Sequence, residues 1–320
     1  MKKMNLQPSI AVIGGGTGLS VLLRGLKKYT KNLTAIVTVT DDGGSSGALR
    51  RELGVLPPGD IRNCLVALSE EENLMSRLFQ YRFPSVGSLS GHSFGNLFLT
   101  AMSSLTGGFD QGVARAGEVL AIFGQVLPVT LSSVTLKAKL TNGEVVRGET
   151  MIAKSNFPIE ALEINPISPP AGPNVLESIL LADAVIIGPG SLYTSIIANL
   201  LVKGVARTLE ESKAPKIYVS NLMTQPGETT NFALSDHIKT LEKYLGKNII
   251  DYVIINSGKI DRKVLKRYEK EGSSPVLVDK NIPKRIKLIK DKVASFHKGL
   301  IRHDSERLAK SIMKIIKKIK

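Results

Sequence analysis

Short runs that are apolar at nearly every position alternate along this chain with stretches whose apolar residues recur every three or four positions. Runs of the first kind, residues 9–13, 33–39, 184–187, 216–220 and 252–255, predict strands buried on both faces, as in a parallel sheet covered by helices. Directly after the first run, Leu19, Leu22, Leu23 and Leu26 fall at helical spacing, in a helix entered at Gly18. The alternation predicts an α/β fold, Rossmann-like and doubly wound, with a mainly parallel sheet. Two regions depart from it. Residues 59–123 read as a helical insertion, with helices over 59–69, 74–81, 93–105 and 110–123. Residues 128–165 read as a small antiparallel β elaboration, because VTLKAKL and EVVRGET flank Thr141-Asn142-Gly143, and Asn-Gly favours a tight hairpin. A proline-rich stretch, 165–173, returns the chain to the core. The last helix is predicted from an N-cap at Asp304, with Leu308, Ile312, Ile315, Ile316 and Ile319 as its apolar stripe and lysines on the other face.

The chain is long enough for one large α/β domain or two smaller ones, and the pattern is read as a single Rossmann-like domain over residues 1–320. The chain is 42% hydrophobic, which supplies a sizeable core and excludes extended disorder. No run reaches about 18 apolar residues, so no membrane span is expected. The N-terminal apolar run is too short for a signal peptide and enters a glycine turn at once. A single cysteine, Cys64, excludes an internal disulfide and a cysteine zinc site, and the expected compartment is the cytoplasm. A net charge of +15 invites a nucleic-acid partner, but its distribution argues otherwise. Residues 1–235 carry a net of +2, whereas the basic segment 236–320 carries +13. With no Trp and 5% aromatics, platforms for base stacking are scarce.

The candidate chemistry gathers in loops that follow strands. Gly14, Gly15, Gly16, Thr17 and Gly18 join the first strand to the first helix, where glycines let a phosphate approach the helix N-terminus. Leu19 stands where a dinucleotide fingerprint needs its third glycine, and no Gly-Lys-Ser/Thr follows to make a Walker loop. After the second strand come Asp41 and Asp42, then a Gly/Ser loop with Ser45 and Ser46. The acids suit a ribose or Mg²⁺, and the serines suit phosphate. Alternatively the first acid makes a local turn and the second is solvated. Asp60, followed by Arg62 and Asn63, reads as an N-cap with two polar groups exposed in the first turn. His92 and Asn96 sit in a small polar segment opening an apolar helix, where His92 suits phosphate contact, acid–base work or a structural hydrogen bond. Gly188, Gly190, Ser191 and Thr194 form a second strand–glycine–hydroxyl–helix cradle, and Thr224 lies in a third loop of the same placement. Ser191 lacks the G-x-S-x-G setting of a nucleophile.

Taken together, IGGGTGLSVLLRGLK, TAIVTVTDDGGSSG, PPGDIRN, LSGHSFGNL, IIGPGSLYTSI and NLMTQPGETTNF closely resemble the bacterial gluconeogenesis factor family, over roughly residues 8–315. That family belongs to the superfamily of the 2-phospho-L-lactate transferase of deazaflavin-coenzyme biosynthesis. The resemblance implies a Rossmann-like core that binds UDP-sugars, notably UDP-N-acetylglucosamine, and a role in cell shape and wall synthesis during growth on gluconeogenic carbon. It further implies that Tyr268, in LKRYEKEGSSPVLVD, and Arg302, in LIRHDSERLAK, are the UDP-sugar-binding tyrosine and arginine. A tyrosine ring stacks on uracil or sugar, and a guanidinium grips a diphosphate.

Three function classes follow. The first is a UDP-sugar-binding regulator with no catalytic residues, no required cofactor and a protein partner in wall regulation. The second is a transferase moving a phosphate-linked group from a nucleotide diphosphate carrier, with Mg²⁺ on Asp41 and Asp42. The chain departs from the transferases around residues 57–63 and in GPGSLYTS. The third is nucleic-acid binding through the basic quarter. An NAD-dependent dehydrogenase is disfavoured by Leu19, and a homo-oligomer is left open.

Overall fold

A computed structural model describes residues 7–70, 74–84, 86–297 and 299–319. The strands are β1 Ile10–Gly14, β2 Leu33–Val37 and β3 Gln125–Pro128, then β4 Thr135–Leu140, β5 Val145–Arg147 and β6 Ile159–Asn165. They continue with β7 Ala184–Ile187, β8 Lys216–Val219, β9 Tyr252–Asn256 and β10 Lys287–Asp291, and end with β11 Ala294–His297 and β12 Leu300–His303. Among the described residues, seven of them form one sheet in the order β10-β9-β8-β7-β1-β2-β3, parallel throughout. Side chains alternate across a strand, so Ile10 and Val12 join the core on one face while Ala11 and Ile13 join that on the other. That is why β1 reads as continuously apolar. The expected doubly wound α/β fold is observed.

The sheet has a switch point. From β1 the chain moves outward to β2 and β3, then returns to the other side of β1 at β7 and moves outward again. Connections leaving in opposite directions from β1 and β7 open a crevice beyond their carboxyl ends, where such sheets bind ligands.

Helices α1 Gly16–Leu26, α2 Gly44–Leu53, α3 Gly59–Leu68, α4 Leu74–Gln80, α5 Phe94–Thr106 and α6 Phe109–Val119 follow in order. Three local expectations are corrected. The Gly/Ser loop after Asp42 is the start of α2, so Ser45 and Ser46 lie in a first helical turn. Asp60 does not cap α3; Pro58 precedes that helix, and the Asp60 carboxylate reaches back to α1. Within the β elaboration, β4 pairs antiparallel with β5 and β6, but the strand expected through Glu149 and Thr150 turns into a short helix, α7 Glu149–Ala153.

The basic segment supplies β9, β10, the β11–β12 hairpin and helices Arg262–Lys270 and Ser305–Ile319. Asp304 Oδ1 accepts the amides of Glu306 and Arg307 at 3.1 and 2.9 Å, as an N-cap should. Leu308, Ile312, Ile315 and Ile316 are buried against the sheet, whereas Ile319 at the helix end is exposed and does not extend the stripe. Lys310, Lys314, Lys317 and Lys318 face solvent. Among the described residues no helix is long and apolar enough to cross a membrane.

Candidate functional site

A cavity of about 340 Å³ lies at the switch point. Its floor is made by the turns after β1 and β7. Gly15 leads into α1 with an extended backbone and Gly16 is left-handed at φ +65°, so the helix starts abruptly beneath the cavity. A Cβ on Gly18 would stand 2.8 Å from the Pro189 carbonyl oxygen, so glycine is what lets the two turns touch. The amides of the first α1 turn have no acceptor within the helix, and an anion is favoured there. The Gly16 amide is already committed, donating to Asp60 Oδ2 at 2.6 Å. Ser191 opens a π-helical turn, Leu192–Ile197. Its hydroxyl accepts Gln225 Nε2 at 2.8 Å, and Asn221 Nδ2 donates to the Gly190 carbonyl at 2.8 Å, tying the β7 and β8 loops together. Thr224 pairs with the 273–274 segment: its amide donates to the Ser274 carbonyl at 2.7 Å, and its hydroxyl oxygen accepts the Ser274 amide at 2.9 Å.

The outer wall comes from the basic segment. Tyr268 and Arg302 both line the cavity, and Arg302 is the only lysine or arginine among the described residues that does so. The Tyr268 hydroxyl accepts the Ile301 amide at 3.0 Å. His303 lines the same wall with Nε2 buried and without a hydrogen-bond partner, and burial holds its imidazole down at about 4.

A second polar group lies behind the cavity, under the starts of α2, α3 and α5. Buried Arg62 donates to Ser93 Oγ at 2.5 Å, Asn96 Oδ1 at 2.9 Å and Asn63 Oδ1 at 2.9 Å. Ser45 Oγ accepts Asn96 Nδ2 at 3.1 Å and meets His92 Nδ1 at 3.2 Å, while Ser46 Oγ accepts the Gly59 amide at 3.1 Å. Burial, and then Asp41, push the Asp60 carboxyl up to about 6. Burial, and then Arg82, pull the Arg62 guanidinium down to about 10, against the opposing pull of Asp60 and Asp41.

The expected residues therefore divide. Gly15, Gly16, Thr17, Gly18, Gly190, Ser191, Thr224, Tyr268 and Arg302 share the cavity. Ser45, Ser46, Asp60, Arg62, Asn63, His92 and Asn96 form the network behind it. Gly14 ends β1, and Gly188 follows β7 with φ +83°. Thr194 faces inward, where its hydroxyl donates to buried Glu228 at 3.3 Å.

The acid pair lies outside the cavity lining, and each carboxylate has a local partner. Asp41 Oδ1 accepts the Gly43 amide at 2.9 Å, and Asp42 Oδ1 accepts both the amide and the hydroxyl of Thr150, at 2.9 and 2.6 Å. Among the described residues no group of three or more His, Cys, Asp or Glu is placed to hold a metal ion. The cavity also contains residues that sequence reasoning missed. The main one is Glu149, whose Oε2 accepts the Thr40 hydroxyl at 3.1 Å. Burial, then Asp60 and Asp41, push its carboxyl well above the usual range. Nothing local marked it, because it sits at the end of a predicted surface hairpin.

The pattern of the 2-phospho-L-lactate transferase CofD family matches residues 10–294, a span that includes both glycine turns and the three loops above. The chain belongs to that family. Within it, the gluconeogenesis factor of Bacillus subtilis strain 168 is 44% identical over 98% of this chain and 100% of its own. A Clostridium acetobutylicum relative is 50% identical over 97% of this chain and 70% of its own length. The crystal structure of a Bacillus halodurans protein superposes with a TM-score of 0.92 at 43% identity, covering 96% of this chain and 99% of that one. Family membership and the fold thus agree with the resemblance carried by the loop motifs.

Proposed function

We propose that this protein is a regulatory factor that binds a UDP-sugar, with UDP-N-acetylglucosamine as the ligand, and that it serves cell shape and wall synthesis during gluconeogenic growth. One observation carries the reading. A single cavity joins two glycine turns suited to a diphosphate with a tyrosine and an arginine from a distant part of the chain. The tyrosine supplies a ring face for uracil, and Arg302 supplies the positive charge a diphosphate needs. Titration calorimetry of the intact protein with UDP-N-acetylglucosamine, with and without Mg²⁺, tests it. Saturable binding supports the reading, and absence of heat under both conditions refutes it.

Transfer of a phosphate-linked group from a nucleotide diphosphate carrier is the second reading, favoured by the family match. Mass spectrometry after incubation with UDP-sugars and with guanosine- or uridine-linked donors separates the two. Intact donors leave binding as the function, and a new product establishes transfer.

A further inference from the structure

The cavity runs over the carboxyl ends of three neighbouring strands, in the order β8, β7, β1, and Glu149 carries its lining toward β2. At the β8 end lie Asn221, Thr224 and Gln225, with Tyr268 beside them. The middle holds the two glycine turns. The β2 end is closed by Glu149, tethered to Thr40 just beyond that strand. Three strands at about 4.8 Å spacing span about 10 Å, and Glu149 lies at the far end from Tyr268. Among the described residues Glu149 is the only carboxyl in its lining.

Glu149 does not belong to the sheet. It opens α7, and α7 is placed by Asp42, which accepts two hydrogen bonds from Thr150. Gly148, just before the helix, is left-handed at φ +87° and lies against the other Asp42 carboxylate oxygen, where a Cβ would not fit. Asp42 occupies the position after β2 from which an open α/β sheet usually reads a ribose hydroxyl. Here that carboxylate is spent on fixing α7, and Glu149 is the carboxyl delivered to the cavity in its place.

We infer that Glu149 is the specificity-determining residue that reads the hydroxyls of the ligand's sugar. This rests on the UDP-sugar reading. With uracil against Tyr268 at the β8 end and the diphosphate over the glycine turns, the sugar falls at the β2 end. Glu149 Oε2 is held by Thr40, and Oε1 has no hydrogen-bond partner among the described residues. A carboxyl positioned in this way discriminates well, because a ligand lacking the hydroxyl leaves a desolvated polar group unpaired.

Calorimetry of wild type, Glu149→Gln and Glu149→Ala with UDP-N-acetylglucosamine and with UDP tests the assignment. Glu149→Ala is expected to weaken UDP-N-acetylglucosamine by about tenfold, the scale of one buried hydrogen bond whose partner is left unpaired, and to leave UDP unchanged. Glu149→Gln keeps the shape and one acceptor, so its loss is smaller and again confined to the sugar nucleotide. Unchanged affinity for UDP-N-acetylglucosamine in both variants overturns the inference while leaving UDP-sugar binding standing. An equal loss for both ligands in Glu149→Gln also overturns it, by showing a structural effect. If wild type binds neither ligand, the UDP-sugar reading fails and takes this inference with it.

Discussion

The hydroxyl of Tyr268 accepts the backbone amide of Ile301 at 3.0 Å, so one wall of the cavity is closed by a side chain from a helix and the backbone of a hairpin. The next residue in the hairpin is Arg302. The bond therefore sets the position of the arginine as well as that of the ring. Tyr268→Phe keeps the ring and strands the amide, so stability should fall by about 1 kcal/mol in urea denaturation. Binding of UDP-N-acetylglucosamine should weaken by a few-fold in that variant. Tyr268→Ala and Arg302→Ala should each lose most of the binding while remaining folded by circular dichroism. Unchanged affinity in both would remove this wall from the site.

Contact between the β1 and β7 turns depends on Gly18. A methyl group there meets the Pro189 carbonyl at 2.8 Å, so one turn must move. Gly18→Ala should cost about 1–3 kcal/mol, the usual penalty of overpacking, and should weaken ligand binding because the phosphate floor is displaced. Thermal unfolding with and without ligand checks both effects.

Asp42 should behave as a support for α7. Asp42→Ala removes the acceptor of the Thr150 amide and hydroxyl, with an expected loss of about 1–3 kcal/mol. Hydrogen exchange at the Thr150 amide should speed up in that variant while exchange in β1 stays slow. Equal rates at Thr150 in both proteins would show that the bond contributes nothing to holding α7.

The pH dependence of stability has opposing parts that variants can separate. Burial holds His237 at about 4 against the ordinary 6.5, and His303 likewise. The unfolded chain takes these protons near 6.5 and the folded chain only near 4, so their contribution is complete above 6.5 and is lost as the pH falls toward 4. Asp60 works the other way. Its carboxyl is raised from 3.8 to about 6, so its contribution is complete below 3.8 and is lost as the pH rises through 6. Between pH 7 and 5, His237→Gln should therefore lose less stability than wild type. Asp60→Asn should abolish a loss that wild type suffers between pH 4 and 7. Urea midpoints across that range measure both.

The inner strands were legible because their signal is local. A strand covered on both faces is apolar at nearly every position, and β1, β2, β7, β8 and β9 all carry that mark. The Asn142-Gly143 hairpin and the Asp304 cap were legible for the same reason, since turn and cap chemistry lie within a few residues. The loops of the cavity could be found because each directly follows such a strand. The edge strands β3 and β10 were not legible. QVLP is short, KLIKD is interrupted by charge, and an edge strand is defined by its neighbour more than by its own pattern. Tertiary structure alone decided what the acids do. Asp42 meets Thr150 across 108 residues and Asp60 meets Gly16 across 44, so no local period records either pairing. The location of the candidate site followed from residues adjacent in sequence. The choice of Glu149 over Asp42 as the carboxyl facing the cavity followed from a contact that exists only once the chain has folded.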